Sequence, residues 1–121
     1  MRLPVPENRV IFVRFHKDIC KMIEEYAKSQ GLRKATAASK ILEQYVTSPF
    51  PLSPHSSLYF MKQGRSSEAV KGKGMNITIR KVIDNEIRIQ ADKKGIKEND
   101  FRTAIIFSFI EKKKGKEKEA E

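Results

Sequence analysis

"GMNITIR", residues 74–80, decides the fold of this chain. Met75, Ile77 and Ile79 alternate with Asn76, Thr78 and Arg80, and successive residues of a strand point to opposite faces. The stretch therefore reads as a strand over 75–80 with one apolar and one polar face. A lone strand leaves its backbone N–H and C=O groups unpaired, so a partner strand is required.

The partner lies 64 residues earlier. Gly31 and Gly95 each read as a helix stop, followed by Leu32 and Ile96. With the glycines superposed, 10–46 lies over 74–110 without a gap. Ile11 falls on Met75, Val13 on Ile77, Phe15 on Ile79, Ile19 on Ile83, Ile23 on Ile87 and Ala27 on Ala91. Ile41 falls on Ile105, Leu42 on Ile106, Tyr45 on Phe109 and Val46 on Ile110. Few residues are identical, but strand period, helix period and stop signal repeat together.

Each half predicts a strand (10–15 or 75–80), a helix (17–30 or 82–94) and a second helix (35–47 or 99–114). The first helices carry Ile19, Ile23 and Ala27, or Ile83, Ile87 and Ala91, at spacing 4 on one face. Asn99 suits an N-cap. The earlier copy has "RKAT" there, which predicts a late start at Thr36. Between the halves, Pro49, Pro51 and Pro54 forbid a continuous helix. The domain reading is a first unit over 9–47, a linker over 48–73, a second unit over 74–114 and a charged flexible tail over 115–121. Phe50, Leu52, Leu58, Tyr59, Phe60 and Met61 make the linker too apolar for solvent alone, so it is expected to pack on the body or on another molecule.

The chain has 121 residues, 39% of them hydrophobic and 33% charged, with net charge +10 and pI about 9.8. That charge suits a polyanionic partner, nucleic acid before an anionic membrane. It is spread: 9–46 carries +4, 47–73 +3, 74–110 +2 and 111–121 +1. Cys20 is the only cysteine, so no intrachain disulfide forms. "MRLPVPENR" has no apolar signal-peptide core, and no apolar run nears a membrane span. The expectation is a soluble intracellular, cytoplasmic protein. Lys/Ile/Glu usage hints at a thermophile.

Little points to catalysis. His16, His55 and Cys20 have no zinc-site spacing, "GKG" at 72–74 lacks the phosphate-loop pattern, and Cys20 reads as a half-buried packing residue. No enzyme activity, metal or cofactor is expected. His16 continues the outward face of the first strand, where it could touch a nucleic acid, but the plainer reading is a solvated strand end.

Strand–helix–helix, with "MNITIR…I…I…A…GI" as its pattern, resembles the ribbon–helix–helix family of DNA-binding proteins, the Arc and MetJ type. The resemblance covers 10–46 and 74–110. Two copies of that motif pair their strands over four interlocked helices, and both copies here lie in one chain, similar to duplicated regulators from viruses of thermophilic archaea. The implied fold is α+β, mostly helical: two tandem ribbon–helix–helix units forming one intertwined pseudo-dimer, an antiparallel ribbon over four helices. One copy alone has too little core to fold, and a two-stranded ribbon needs one face covered.

The family's ribbon enters the major groove of double-stranded DNA. The implied base-reading residues are then the outward ones: Val10, Phe12 and Arg14, with Asn76, Thr78 and Arg80. Arg14 suits guanine, Asn76 suits adenine, and Thr78 suits a polar edge or a thymine methyl. Phe12, over Asn76 in the repeat, either packs on a thymine methyl or makes the first strand a poor reader. Unlike strands imply an asymmetric half-site. Implied phosphate contacts sit at the second helices' N-termini, Arg33, Lys34 and Thr36, and Lys97 and Asn99, with Lys17 and Lys81 after the strands. Glu98 and Asp100 would repel phosphate and favour the first of these sites. The function expected is a transcription regulator. The rival is a protein-interaction module of the antitoxin kind, or self-association through 50–61. RNA is disfavoured, because the A-form major groove is too narrow for a ribbon.

Overall fold

A computed structural model describes residues 7–60 and 70–120, with side chains described as far as Lys114. The order is β1 (Asn8–Val13), α1 (Lys17–Gln30), α2 (Lys34–Thr47), a short 3-10 helix (Pro54–Tyr59), β2 (Met75–Arg80), α3 (Lys81–Lys94) and α4 (Glu98–Ala120). The fold is α+β and mostly helical, with one two-stranded antiparallel sheet.

β1 pairs with β2 from Asn8↔Arg80 to Val13↔Met75, with Ile11 opposite Ile77 and Phe12 opposite Asn76. The Lys81 N–H donates to the Glu7 carbonyl at 2.8 Å and carries the ladder one step further. β1 starts and stops two residues earlier than the expected 10–15. The parity is unchanged, so Ile11, Val13 and Phe15 point inward with Ile77 and Ile79, all buried. Each such side chain contributes about 2 kcal/mol of burial.

The early end of β1 has a cause on the other strand. His16 bridges Lys71, the Gly72 N–H donates to the Phe15 carbonyl, and the Lys17 N–H donates to the Val70 carbonyl. From Val13 to His16 is three steps, but from Met75 back to Lys71 is four. One extra residue is therefore accommodated around "GKG", a bulge that ends the regular ribbon.

The first helices end as expected. Gly31 (φ 67°) and Gly95 (φ 70°) adopt the left-handed conformation that glycine tolerates best, and the next residues, Leu32 and Ile96, donate to Ala27 and Ala91 carbonyls. The helix starts differ. α1 is capped by His16, whose Nδ1 accepts from the Asp18 N–H at 3.1 Å, so His16 is a half-buried cap and not a solvated strand end. α2 starts at Lys34, ahead of Thr36, because Arg33 is extended and its carbonyl already accepts the Ala37 N–H. α3 takes Lys81 as its first residue. α4 includes Asn99, which is not its N-cap, and runs to Ala120 through the stretch expected to be flexible tail.

Helix α4 is central. Every residue from Phe101 to Ile110 is buried, and α1, α2, α3 and the 3-10 helix all pack on it. The linker supplies the last wall. Phe50, Leu52 and Tyr59 pack on the core, Tyr59 lies against Phe107, and the Ser53 N–H donates to Ser108 Oγ at 2.7 Å. Leu58 faces solvent and Phe60 is half-buried, while Met61 lies outside the described residues. No described helix is long and apolar enough to cross a membrane.

Asp84 on α3 is fully buried and binds three arginines. Arg9 of β1 donates at 2.6 Å, Arg88 one turn along α3 at 3.0 Å, and Arg102 of α4 at 3.1 Å. Burial alone would raise the carboxyl's pKa. The hydrogen bonds from Arg9 and Arg102, with the charges of Arg102 and Arg88, outweigh burial and hold it below 3.8. Removing the carboxylate strands a buried guanidinium, so Asp84→Ala is expected to cost about 3–5 kcal/mol in urea unfolding at neutral pH. Because the folded pKa is depressed, this contribution is complete above the ordinary carboxylate value and disappears as pH falls through the folded one. The gap between wild type and variant should accordingly narrow in acid.

Candidate nucleic-acid interface

The sheet has one face on the core and one in solvent. Asn8, Val10 and Phe12 on β1, Asn76, Thr78 and Arg80 on β2, and Arg14 just beyond β1 are all exposed. All six residues expected to form a reading edge thus share one open face. The pairing sets Val10 across from Thr78 and Phe12 across from Asn76. Val10 and Phe12 are 65% and 69% exposed, more apolar surface than a purely solvated sheet needs.

Phe12 is not loose on that face. Its ring lies over Gly74, where an added Cβ would overlap the ring's outer edge. The two guanidinium groups are also held. Arg14 Nε donates to the Gly72 carbonyl at 2.9 Å. Arg80 pairs with Glu43 of α2 at 2.7 Å, both groups partly exposed. Asn76 and Thr78 stand between them and can offer a paired donor and acceptor, and a hydroxyl beside a methyl.

The strand backbone beneath this face is tied down by the second helices. Ser39 Oγ on α2 donates to the Thr78 carbonyl at 2.7 Å, and Asn99 Nδ2 on α4 donates to the Arg14 carbonyl at 3.1 Å. Each helix therefore secures the strand of the other half. Asn99 was expected to hold phosphate; its amide is engaged in this internal contact instead. Its Oδ1 is buried with no partner.

The remaining residues expected to contact phosphate lie at the helix starts. Arg33, Lys34 and Thr36 are exposed at the start of α2, Lys17 is exposed at the start of α1, and Lys97 is exposed just before α4. Lys81, first in α3, is half-buried. Glu98 lies 3.7 Å from Arg88 and 3.6 Å from Arg102, so part of its charge is spent on arginines. Cys20 is half-buried beneath the bulge, its Sγ 3.7 Å from the Phe15 carbonyl. Burial raises the thiol pKa above 9.0, so the thiol is a poor nucleophile near neutral pH.

Ser39, Glu43 and the Gly72 carbonyl were missed from the sequence. Their partners lie 39, 37 and 58 residues away. Only the repeat offers a signal, since Ser39 aligns with Thr103 as a hydroxyl on the same helix face.

Among the described residues no group of His, Cys, Asp and Glu could hold a metal ion. Grooves beside Phe50 and Phe109, and beside Leu52 and Ser108, run along α4 and the linker and take no lining from the sheet. Comparison with protein-family models, with curated proteins and with solved structures found no match.

Two substitutions probe how the face is held. Gly74→Ala should displace the Phe12 ring, shifting its ring-proton resonances. Because the clash falls on the free end of an exposed side chain, the unfolding free energy should move by less than about 1 kcal/mol. Glu43→Gln releases Arg80 at a similarly small cost, under about 1 kcal/mol in urea unfolding, because the pair is open to solvent.

Proposed function

We propose that the chain is a sequence-specific regulator of transcription that inserts its antiparallel ribbon into the major groove of double-stranded DNA. In this reading the halves are two ribbon–helix–helix units in one intertwined pseudo-dimer. One observation carries it: a two-stranded sheet, buried on one face by helices, presents Val10, Phe12, Arg14, Asn76, Thr78 and Arg80 together on the other. The register supports the pseudo-dimer. Phe12 is paired with Asn76, its own counterpart in the repeat, as a two-fold axis relating the halves would require. The Thr78 and Arg14 carbonyls, counterparts in the repeat, each accept from a helix of the opposite half, which fits the same axis, although the donors Ser39 and Asn99 are not counterparts.

A two-stranded ribbon fits the major groove, where each base pair has its own donor and acceptor pattern. Asn76 and Thr78 supply the polar readout, and Phe12 and Val10 supply apolar contact for thymine methyls. Because the face differs across the axis, the preferred site is asymmetric. Net charge +10 supplies affinity that weakens steeply with salt. The self-association surface expected over 50–61 is reduced, since Phe50, Leu52 and Tyr59 are occupied on the core.

Selection from a random duplex pool, followed by titration in rising salt, tests the reading. Wild type should enrich a non-palindromic motif. Asn76→Ala and Arg14→Ala should each reduce discrimination between the motif and mixed-sequence duplex by about 1–3 kcal/mol, with little change in stability. Equal affinity for every duplex, or discrimination untouched by both changes, would refute base reading by the ribbon.

A further inference from the structure

Helix α2 packs along β2, and two of its residues, one helical turn apart, hold successive outward positions of that strand. Ser39 Oγ donates to the Thr78 carbonyl, and Glu43 Oε1 pairs with Arg80 Nη2 at 2.7 Å. The spacings match: a helix rises about 6 Å over four residues and a strand about 7 Å over two. Ser39 therefore fixes the strand backbone, and Glu43 fixes the guanidinium beyond it. Arg80 closes the ladder opposite Asn8, on the open face. Its side chain is 47% exposed and that of Glu43 38%, so the pair sits at the surface, within reach of a ligand. Lys40, before Glu43 on α2, and Lys81, directly after Arg80, are the neighbouring cations in sequence. Among the described residues Glu43 is the acid that Arg80 meets.

We propose that Glu43 is a positioning residue that aims Arg80 at a guanine and withholds it from the phosphates. The proposal rests on the DNA reading above and names one base of the site and the group that enforces it. A guanidinium carries five N–H donors and a carboxylate takes at most two, so donors remain for the O6 and N7 of guanine. An unheld arginine loses rotamer freedom on docking and can settle on any phosphate. One that is already held loses less, and its compensated charge gives it less to gain from the DNA backbone. Arg80 stands four residues from Asn76 along β2, about 14 Å. The guanine therefore falls within about four base pairs of the adenine that suits Asn76. In the repeat Arg80 corresponds to His16 and Glu43 to Phe107. His16 caps α1 with its ring 5.3 Å from that of Tyr59, and Phe107 is buried. The device therefore exists once, and the guanine is expected on one side of the motif.

The test uses the full chain and three duplexes: one recovered by selection, the same one with the assigned guanine replaced, and one of mixed sequence. Arg80→Ala should cut the preference for that guanine about tenfold or more. Glu43→Gln should lower the same preference about three- to tenfold. It should also strengthen binding to the mixed-sequence duplex and steepen the slope of log affinity against log salt by about one, because Arg80 is freed for phosphate. A merely structural role for Glu43 would weaken binding to every duplex alike. Lys81→Ala removes a neighbouring cation and should weaken all three duplexes by a similar factor, leaving the guanine preference intact. Circular dichroism melting confirms that each variant folds. The proposal is overturned if Arg80→Ala keeps the guanine preference, if Lys81→Ala abolishes it, or if Glu43→Gln weakens all three duplexes equally, even where Asn76→Ala still erases discrimination at its own base. A wild type that prefers no duplex overturns the DNA reading and this proposal with it.

Discussion

Everything in this structure depends on the pairing of β1 with β2. Neither strand can satisfy its own backbone, and the pair cannot stand in water unless one face is covered. The only long stretches able to provide that cover follow each strand in sequence, so helices from both halves must converge under one ribbon. The carbonyls of Thr78 in β2 and of Arg14 just beyond β1 show how tightly this is done, since each accepts a hydrogen bond from a helix of the opposite half. Among the described residues, nothing covers the other face.

The two halves share the order strand, helix, helix but differ markedly in chemistry. α4 is buried over ten consecutive residues while its counterpart α2 keeps an exposed side. The difference lies in the linker, which folds Phe50, Leu52 and Tyr59 against the core and its 3-10 helix onto α4. A second asymmetry is electrostatic: α3 carries a buried carboxylate with three arginines where α1 carries a thiol. Such a cluster adds little net stability compared with an apolar filling of the same space. It does specify which strand lies over which helix, because Arg9 comes from the opposite half.

The sequence made the fold legible where the signals are local. Period-two alternation in "MNITIR" and "VIFVRF" gave the correct inward and outward residues even though β1 begins two residues early. The αL glycines at 31 and 95 marked helix ends because few other residues tolerate that conformation. What escaped is non-local. Nothing near Arg9 announces Asp84, 75 residues on, and nothing in "KGKG" announces a bulge until the register of its partner is known. Asn99 shows the same limit at the candidate site: its local context suggested a cap, but the nearest acceptor turned out to be the Arg14 carbonyl. The outward face was readable as a set. How Arg14, Arg80 and Phe12 are held on it was not, because Gly72, Glu43 and Gly74 act across strands and helices.

The central position of α4 also bears on how the molecule is made. It is the last of these elements in chain order, yet α1, α2, α3 and the linker all need it to bury their apolar faces. During synthesis the first strand and its helices emerge with no core to join and no strand to pair with. The pairing of β1 with β2 and the packing of α1 on α4 join residues far apart in sequence, an arrangement that slows folding. The nascent first half therefore waits, with Ile11, Val13 and Phe15 uncovered, until α4 has emerged, and that interval is when the chain is most prone to aggregate.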